Sequence, residues 1–143
     1  MTKVYFDVCC LNRPFDDQTQ DRIRLEAEAV IAIMGHIEAG DYHWLSSEVV
    51  DKEIQQNPNA ERRLRVERLL RFVGSSIRAE KPEKLRANGL EALGFRPMDA
   101  LHIACAESGE ATVFFTTDDQ LLRKASRYAR KLRIRVVNPR FWP

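Results

Sequence analysis

Four acidic residues lie far apart in the sequence: three stand where a strand is expected to end or a helix to begin, and the fourth lies within a predicted helix. They are Asp7, Glu53, Asp99 and Asp118. Carboxylates brought together in a fold repel one another and raise each other's pKa unless a cation neutralises them. Oxygen ligands suit Mg²⁺ or Mn²⁺, which keep several water molecules available for chemistry. The chemistry therefore depends on a fold that gathers these acids.

Short apolar runs separated by amphipathic stretches predict an alternation of strands and helices. The predicted strands are 4–6, 42–45, 76–79, 112–115 and 134–137; the predicted helices are 18–39, one from Ser46 or Ser47 to 56, 61–73, 82–93, 98–108 and 118–132; and 9–17 is predicted as a loop. Helices of this length between strands favour right-handed crossovers and a parallel sheet. The helix 98–108 is apolar nearly all round, so it is expected to be buried.

Ligands bind at the carboxyl ends of the strands in open parallel sheets, near the point where the strand order reverses. Asp7 comes directly after the first predicted strand, and the segment 116–119 follows the fourth. Glu53 lies on the helix after the second strand, and Asp99 lies in the first turn of a helix opened by Pro97. We therefore expect all four acids near one edge of the sheet.

Each acid also has a purely structural explanation. Asp118 before a helix is an ordinary N-cap, and the helix dipole favours an acid at Asp99. Asp7 also suits a loop, and Glu53 also suits an exposed helix surface. The placement of all four together, rather than any single acid, indicates a site.

Helical geometry separates Glu53 from its neighbour Glu48. The apolar arc of this helix is formed by Val49, Val50 and Ile54. At about 100° per residue, Glu53 falls inside that arc, whereas Glu48 faces the opposite way. An acid that points inward needs a partner or a cation. Glu53 is therefore the predicted site acid, and Glu48 is predicted to lie on the surface.

The composition is typical of one folded domain: the chain has 143 residues, 44% hydrophobic and 31% charged. The longest uncharged run, 29–37, is far shorter than the roughly 20 apolar residues that span a bilayer, so no membrane partner is expected. Asp7 precedes any apolar region of a signal peptide, which predicts a cytoplasmic location. Three cysteines, of which Cys9 and Cys10 are adjacent, do not indicate a disulfide framework.

Positive charge is concentrated at the end of the chain. Residues 123–143 contain eight Lys or Arg and no acid, whereas the first 122 residues contain 15 basic and 21 acidic residues. This segment suits either an anionic partner, with nucleic acid the first candidate, or an ordinary solvated helix and strand. Phe141 and Trp142 within it suit either base stacking or packing at an edge of the fold.

The sequence resembles the PIN domain, a family of metal-dependent ribonucleases that includes toxins of bacterial toxin–antitoxin pairs. The matching segments are VYFD at 4–7, SEVVDKEI at 47–54, PMDALHIACA at 97–106 and FFTTD at 114–118. The resemblance covers almost the whole chain, and DALHIA followed by TTD is its most specific part. It implies a three-layer α/β/α sandwich with a central, mainly parallel five-stranded sheet, formed by a single domain over residues 1–143.

The resemblance also implies metal-assisted hydrolysis of RNA phosphodiester bonds. Asp7, Asp99 and Asp118 would hold one or two Mg²⁺ or Mn²⁺ ions. Glu53 would complete the cluster or orient the attacking water. The implied partners are an RNA substrate, a small antitoxin protein and a second copy of the chain in a homodimer.

Two residues are candidates for substrate contacts. Thr116 is expected to hydrogen-bond an acid or the water, and Arg13 is expected to contact a phosphate, as are the basic residues after 122. Phosphate contacts of this kind position a nucleic acid rather than read its sequence.

The chain departs from the family pattern directly after the first Asp. Family members often have Thr or Ser and then Asn there, where this chain has Val8 and Cys9. This departure leaves one alternative open, a PIN-like scaffold, catalytically weak or inactive, that binds RNA or protein. A nuclease that processes DNA with the same acids is a second alternative. His102 is predicted to be a hydrogen-bonded core histidine rather than a catalytic base, and its spacing from Cys105 does not favour zinc.

Overall fold

Strands and helices alternate along the chain, as the sequence pattern predicts. The computed structural model describes all 143 residues. Its elements are β1 (Thr2–Phe6), α1 (Val8–Asn12), α2 (Asp21–Glu38), β2 (Tyr42–Ser47), α3 (Glu48–Gln55), α4 (Ala60–Leu69), β3 (Ser75–Ile77), α5 (Lys81–Ala92), α6 (Pro97–Ser108), β4 (Val113–Phe115), α7 (Asp119–Arg127) and β5 (Arg135–Val137). No helix combines the length and the apolar composition that crossing a lipid bilayer requires.

The five strands form one parallel sheet in the order β3-β2-β1-β4-β5. The chain builds outward from β1 to β3 and then crosses back to place β4 on the other side of β1. The strand order therefore reverses between β1 and β4, which is where open α/β folds bind ligands. Phe6 at the end of β1 is level with Phe115 at the end of β4, so both strands end at the same edge.

The centre of the sheet is buried on both faces. Tyr5 and Phe6 on β1, and Phe114 and Phe115 on β4, are all at most 1% exposed. The ring of Tyr5 stacks on Phe114 with a centroid distance of 5.2 Å, whereas Phe6 meets Trp44 edge to face at 5.4 Å. Helices covering both faces of a parallel sheet confirm the predicted three-layer α/β/α sandwich.

Several predicted boundaries are wrong in detail; the helix predicted over 61–73, for example, ends at Leu69. The loop predicted over 9–17 contains α1 and a short 3₁₀ turn at Arg13–Phe15. A five-residue helix is too short to show helical periodicity in the sequence. The helix predicted to reach 132 ends at Arg127, because Tyr128 leaves helical geometry with φ −108° and ψ 25°.

A buried carboxylate on α2 joins three parts of the chain. Glu26 is fully enclosed and accepts hydrogen bonds from Arg13 Nε at 2.8 Å, Arg22 Nε at 3.1 Å and Asn138 Nδ2 at 2.5 Å. Arg13 lies just after α1, and Asn138 lies just after β5. Glu26 therefore fastens two segments near the carboxyl edge of the sheet to α2. A buried charge is tolerated only when it is paired in this way.

Replacing this carboxylate should destabilise the fold strongly. We expect Glu26→Ala to lower the free energy of unfolding by about 3 kcal/mol, because two guanidinium groups lose a buried partner. Urea unfolding followed by circular dichroism measures this loss. Glu28→Ala on the same helix is the control: its side chain is 65% exposed, and a change within about 0.5 kcal/mol is expected. Equal losses in the two variants would contradict this role of Glu26.

Candidate active site

Asp7 lies at the reversal point of the sheet, directly after β1. It is 7% exposed, and its backbone N–H donates to the Phe115 carbonyl at 2.9 Å, which continues the pairing of β1 with β4. Its Oδ2 accepts a hydrogen bond from Thr116 Oγ1 at 2.8 Å. Burial raises the pKa of Asp7 above its ordinary value and the charge of Glu53 raises it further, while the hydrogen bond from Thr116 lowers it.

Glu53 faces the same place from α3, as its position within the apolar arc of that helix predicts. Its Oε1 accepts a hydrogen bond from His102 Nε2 at 2.9 Å. Ligating atoms of Asp7, Glu53 and His102 all lie within 4.8 Å of one another. Glu48 points elsewhere and accepts the backbone N–H of Ala79 at 2.7 Å.

Asp99 reaches this region from α6, three residues before His102, a spacing that places both side chains on one face of the helix. Burial raises the pKa of Asp99 to about 6, and the negative charges of Asp7 and Asp118 contribute to the rise. The three carboxylates are therefore electrostatically coupled. Asp99 and Asp118 lie outside the 4.8 Å group formed by Asp7, Glu53 and His102.

Asp118 serves as the N-cap of α7 and also faces the other acids. Its Oδ1 accepts the backbone N–H groups of Gln120 at 2.9 Å and Leu121 at 3.2 Å. Its Oδ2 lies 3.6 Å from a guanidinium nitrogen of Arg96. The neighbouring Asp119 is turned away to bind Arg22 through both of its oxygens at 2.7 Å.

The two predicted substrate-binding residues are both engaged within the protein. Thr116 is fully buried; its hydroxyl donates to Asp7 and accepts the backbone N–H of Asp118 at 3.1 Å. It therefore links two of the acids. Arg13 is held by Glu26 and by Asp16, the latter at 2.9 Å. Arg13 also lines a polar cleft of about 440 Å³ that reaches Cys9.

Cys9 lies beside Asp7 and the Thr116 hydroxyl. Its Sγ lies 3.5 Å from both Asp7 Oδ2 and Thr116 Oγ1, and it accepts the backbone N–H of Thr117 at 3.4 Å. The thiol therefore makes the polar contacts of this position, although sulfur is a weak hydrogen-bonding group. Val8 is buried in the core.

A chain of buried hydrogen bonds behind the acids was missed by the sequence analysis. The Tyr5 hydroxyl lies 2.7 Å from Ser47 Oγ and 2.7 Å from His102 Nδ1. Burial raises the pKa of Tyr5 well above its ordinary value. His102 is hydrogen-bonded through both ring nitrogens, as predicted for a core histidine. One signal was available: Tyr5 stands two residues before Asp7, a spacing that places both on one side of an extended strand.

The side chains present fit a divalent cation. Asp7 and Glu53 have no lysine or arginine partner within 4.0 Å, so their charge is opposed only by hydrogen bonds. Mutual repulsion and burial raise carboxylate pKa values here, and a cation would reverse both effects. Carboxylate oxygens suit Mg²⁺ or Mn²⁺. His102 already uses both ring nitrogens, which leaves the carboxylates as the ligands.

The sequence matches no protein-family model and no curated protein. Its structure is similar to that of FitAcB from Neisseria gonorrhoeae, with 16% identity and a TM-score of 0.65 over 97% of this chain and 99% of that chain. It is also similar to DNA-bound VapBC from Salmonella typhimurium, with 16% identity and a TM-score of 0.63 over 97% and 99% of the two chains. VapBC2 from Rickettsia felis, bound to a DNA fragment from its promoter, shows 13% identity and a TM-score of 0.60 over 100% of each chain. Likeness at this level of identity concerns the fold, and the chain thus has the PIN-like α/β/α fold that its motifs indicate.

Proposed function

We propose that this protein is a metal-dependent endoribonuclease that hydrolyses RNA phosphodiester bonds. The observation that carries the proposal is the meeting of Asp7, Glu53 and His102 at the point where the strand order reverses. Asp99 and Asp118 add charge to the same region, as the raised pKa of Asp99 indicates. Acids supplied by β1, α3, α6 and the end of β4 are arranged around one place, which suits phosphodiester chemistry.

Each residue has a distinct role in this proposal. Asp7, Asp99 and Asp118 would hold Mg²⁺ or Mn²⁺, and Glu53 would complete the cluster or orient the attacking water. When bound, the cation supplies Lewis-acid neutralisation of the charge that develops on the phosphate. Thr116 fixes the orientation of Asp7 through its hydroxyl.

RNA contacts are proposed around this centre. Arg13 lies in the cleft beside Cys9, and its guanidinium is held by Glu26 and Asp16. Its remaining N–H groups can still donate to a phosphate. The basic segment 123–143 is proposed to add charge that attracts the RNA backbone. These contacts would bind RNA without selecting a sequence.

The protein is further proposed to be the toxin of a toxin–antitoxin pair, with a small antitoxin protein as partner. Its resemblance to PIN domains and its likeness in fold to the VapBC chains support this proposal. A homodimer, a cytoplasmic location and a single domain over 1–143 belong to the same proposal.

Cys9 favours one alternative function. If the weak hydrogen bonds of its thiol hold Asp7 less firmly than an amide or hydroxyl would, the domain would bind RNA or protein without cutting it. Metal-dependent cleavage and tight unproductive binding are separate outcomes of one assay.

Cleavage should depend on metal and on Asp99. Purified protein is incubated with a mixed-sequence RNA and, in parallel, with DNA of the same sequence, in Mn²⁺, Mg²⁺ or EDTA. We expect RNA cleavage with either metal, none in EDTA, and a loss of about 100-fold or more in kcat for Asp99→Asn, because a ligand matters at least as much as the groups that support it.

Asp51→Asn provides the matched control, since Asp51 is an exposed acid on the helix that carries Glu53. Its activity should equal that of the wild type. RNA bound tightly but left intact under every metal would establish the binding alternative. Cleavage of DNA alone would establish a DNA nuclease.

The metal-free protein should change stability with pH through Asp99. A carboxyl whose pKa is about 6 in the folded protein, above its ordinary 3.8, contributes stability below pH 3.8 that is lost as the pH rises through 6. Asp99→Asn avoids this loss. In EDTA we therefore expect the variant to have a higher Tm than the wild type at pH 7.5 and a smaller advantage at pH 4.5.

Thermal unfolding at both pH values, with and without Mn²⁺, measures this effect. Mn²⁺ should raise the Tm of the wild type more than that of the variant, because the variant lacks one of the proposed ligands. An advantage of Asp99→Asn that is the same at both pH values would contradict the electrostatic explanation.

Expression in bacteria tests the toxin proposal. We expect growth to stop when the wild type is expressed alone and to continue with Asp99→Asn produced at the same level. Normal growth with an active, folded nuclease would argue against a toxin while leaving the ribonuclease proposal intact.

A further inference from the structure

The inner end of the site is closed by a row of four hydrogen-bonded side chains. Ser47 Oγ lies 2.7 Å from the Tyr5 hydroxyl, which lies 2.7 Å from His102 Nδ1, and His102 Nε2 lies 2.9 Å from Glu53 Oε1. Ser47, Tyr5 and His102 are fully buried. Glu53 is 29% exposed at its side chain, so the row leads from the core to the open part of the site.

The chemistry of the groups gives this row one direction. A carboxylate only accepts hydrogen bonds, so His102 Nε2 donates to Glu53. In the neutral ring, Nδ1 then accepts from the Tyr5 hydroxyl, and the Tyr5 oxygen accepts from Ser47. Every link is thereby used once: Glu53 places the hydrogen of His102 on Nε2, and Tyr5 holds the other side of the ring by donating to Nδ1.

Glu53 is bound at one oxygen only. Its Oε1 accepts from His102, and its Oε2 makes no hydrogen bond to the protein. A carboxylate oxygen of Asp7 lies within 4.8 Å of a carboxylate oxygen of Glu53. A carboxylate that is held at one oxygen keeps its orientation, and its free oxygen can accept a hydrogen bond from water or bind a cation.

His102 and Tyr5 lie on the same elements as two of the site acids. His102 shares a face of α6 with Asp99, while Tyr5 shares a side of β1 with Asp7. Ser47 caps α3, the helix that carries Glu53, by accepting the Val50 N–H at 3.4 Å. The row therefore includes residues on β1 and α6 and at the start of α3, which are the elements that position Asp7, Asp99 and Glu53.

We infer that Tyr5 and His102 are positioning residues that hold Glu53 in its working orientation, His102 directly and Tyr5 by fixing the ring of His102 through its hydrogen bond to Nδ1. This inference rests on the proposed role of Glu53 in RNA hydrolysis. Neither ring nitrogen of His102 is free to bind a cation, so His102 acts through Glu53 and not as a ligand.

The hydrogen-bonded row is tested first on the metal-free protein. ¹⁵N NMR of the histidine rings reports which nitrogen carries hydrogen. The expected result is hydrogen on Nε2 of His102, a shift of its Nδ1 signal in Tyr5→Phe and a shift of its Nε2 signal in Glu53→Ala. The exposed His36 should not respond to either substitution. Hydrogen on Nδ1, or a His102 signal indifferent to both substitutions, would overturn the inference.

A double-mutant cycle then tests the role of His102 in catalysis. His102→Leu should lower kcat on RNA by about 10- to 100-fold, the usual loss when a supporting partner is removed, with little change in KM. In a Glu53→Ala background, the same substitution should cause no further loss, because the group through which it acts is already gone. His102→Gln, whose amide can donate to Glu53, should recover part of kcat.

His36→Leu is the matched control and should leave kcat unchanged, since His36 is exposed and bonded only to Asp41. If His102→Leu does not fold, Tyr5→Phe preserves the shape of the core and should still lower kcat without raising KM. Losses that add across the cycle, or an unchanged kcat, would overturn this inference alone. A folded wild type that cuts no RNA would overturn the proposed function together with it.

Discussion

The Tyr5 hydroxyl is where the elements around the carboxylates meet. The phenol is fully buried and its ring lies flat against Phe114, so its hydroxyl must find its partners inside the protein. It finds them on Ser47, at the start of α3, and on His102, in α6. A shift of either helix would leave a buried polar group unpaired, at a cost of about 1–3 kcal/mol. The distance between Glu53 and Asp7 therefore depends on two hydrogen bonds made behind them.

Arginine side chains lie around the site, but none forms an ion pair with Asp7 or Glu53. Arg22 binds Asp119 and Glu26, and Arg96 faces Asp118 from the outer side. Asp7 and Glu53 receive only hydrogen bonds from neutral or ring donors. Burial, reinforced by this uncompensated negative charge, is the physical cause of the raised pKa values of Asp7 and Asp99. The buried contacts of Arg13 and Arg22 with Glu26 fix the surrounding segments without involving Asp7 or Glu53. The fold therefore tolerates the repulsion between these two acids.

Local pattern predicted the strand and helix order, the parallel sheet and the inward side of Glu53, because each depends on residues close in sequence. The local sequence pattern did not predict which distant side chains form hydrogen bonds with each other. The Tyr5–His102 bond spans 97 positions and the Glu26–Asn138 bond spans 112. The same limit appears within α2, which carries two nearby isoleucines. Ile33 is buried and Ile31 is 58% exposed, because the packing of neighbouring segments sets the rotation of the helix.

The fold and the proposed function of this chain depend on different residues. Chains with 13% to 16% identity share this fold at TM-scores of 0.60 to 0.65, so the alternation of strands and helices needs few particular residues. A shared fold does not by itself transfer an activity. In this chain, Cys9 follows the first acid and His102 supports Glu53, and both contacts depend on side-chain chemistry that the fold does not demand. The proposed nuclease activity therefore depends on the arrangement of these side chains rather than on the fold alone.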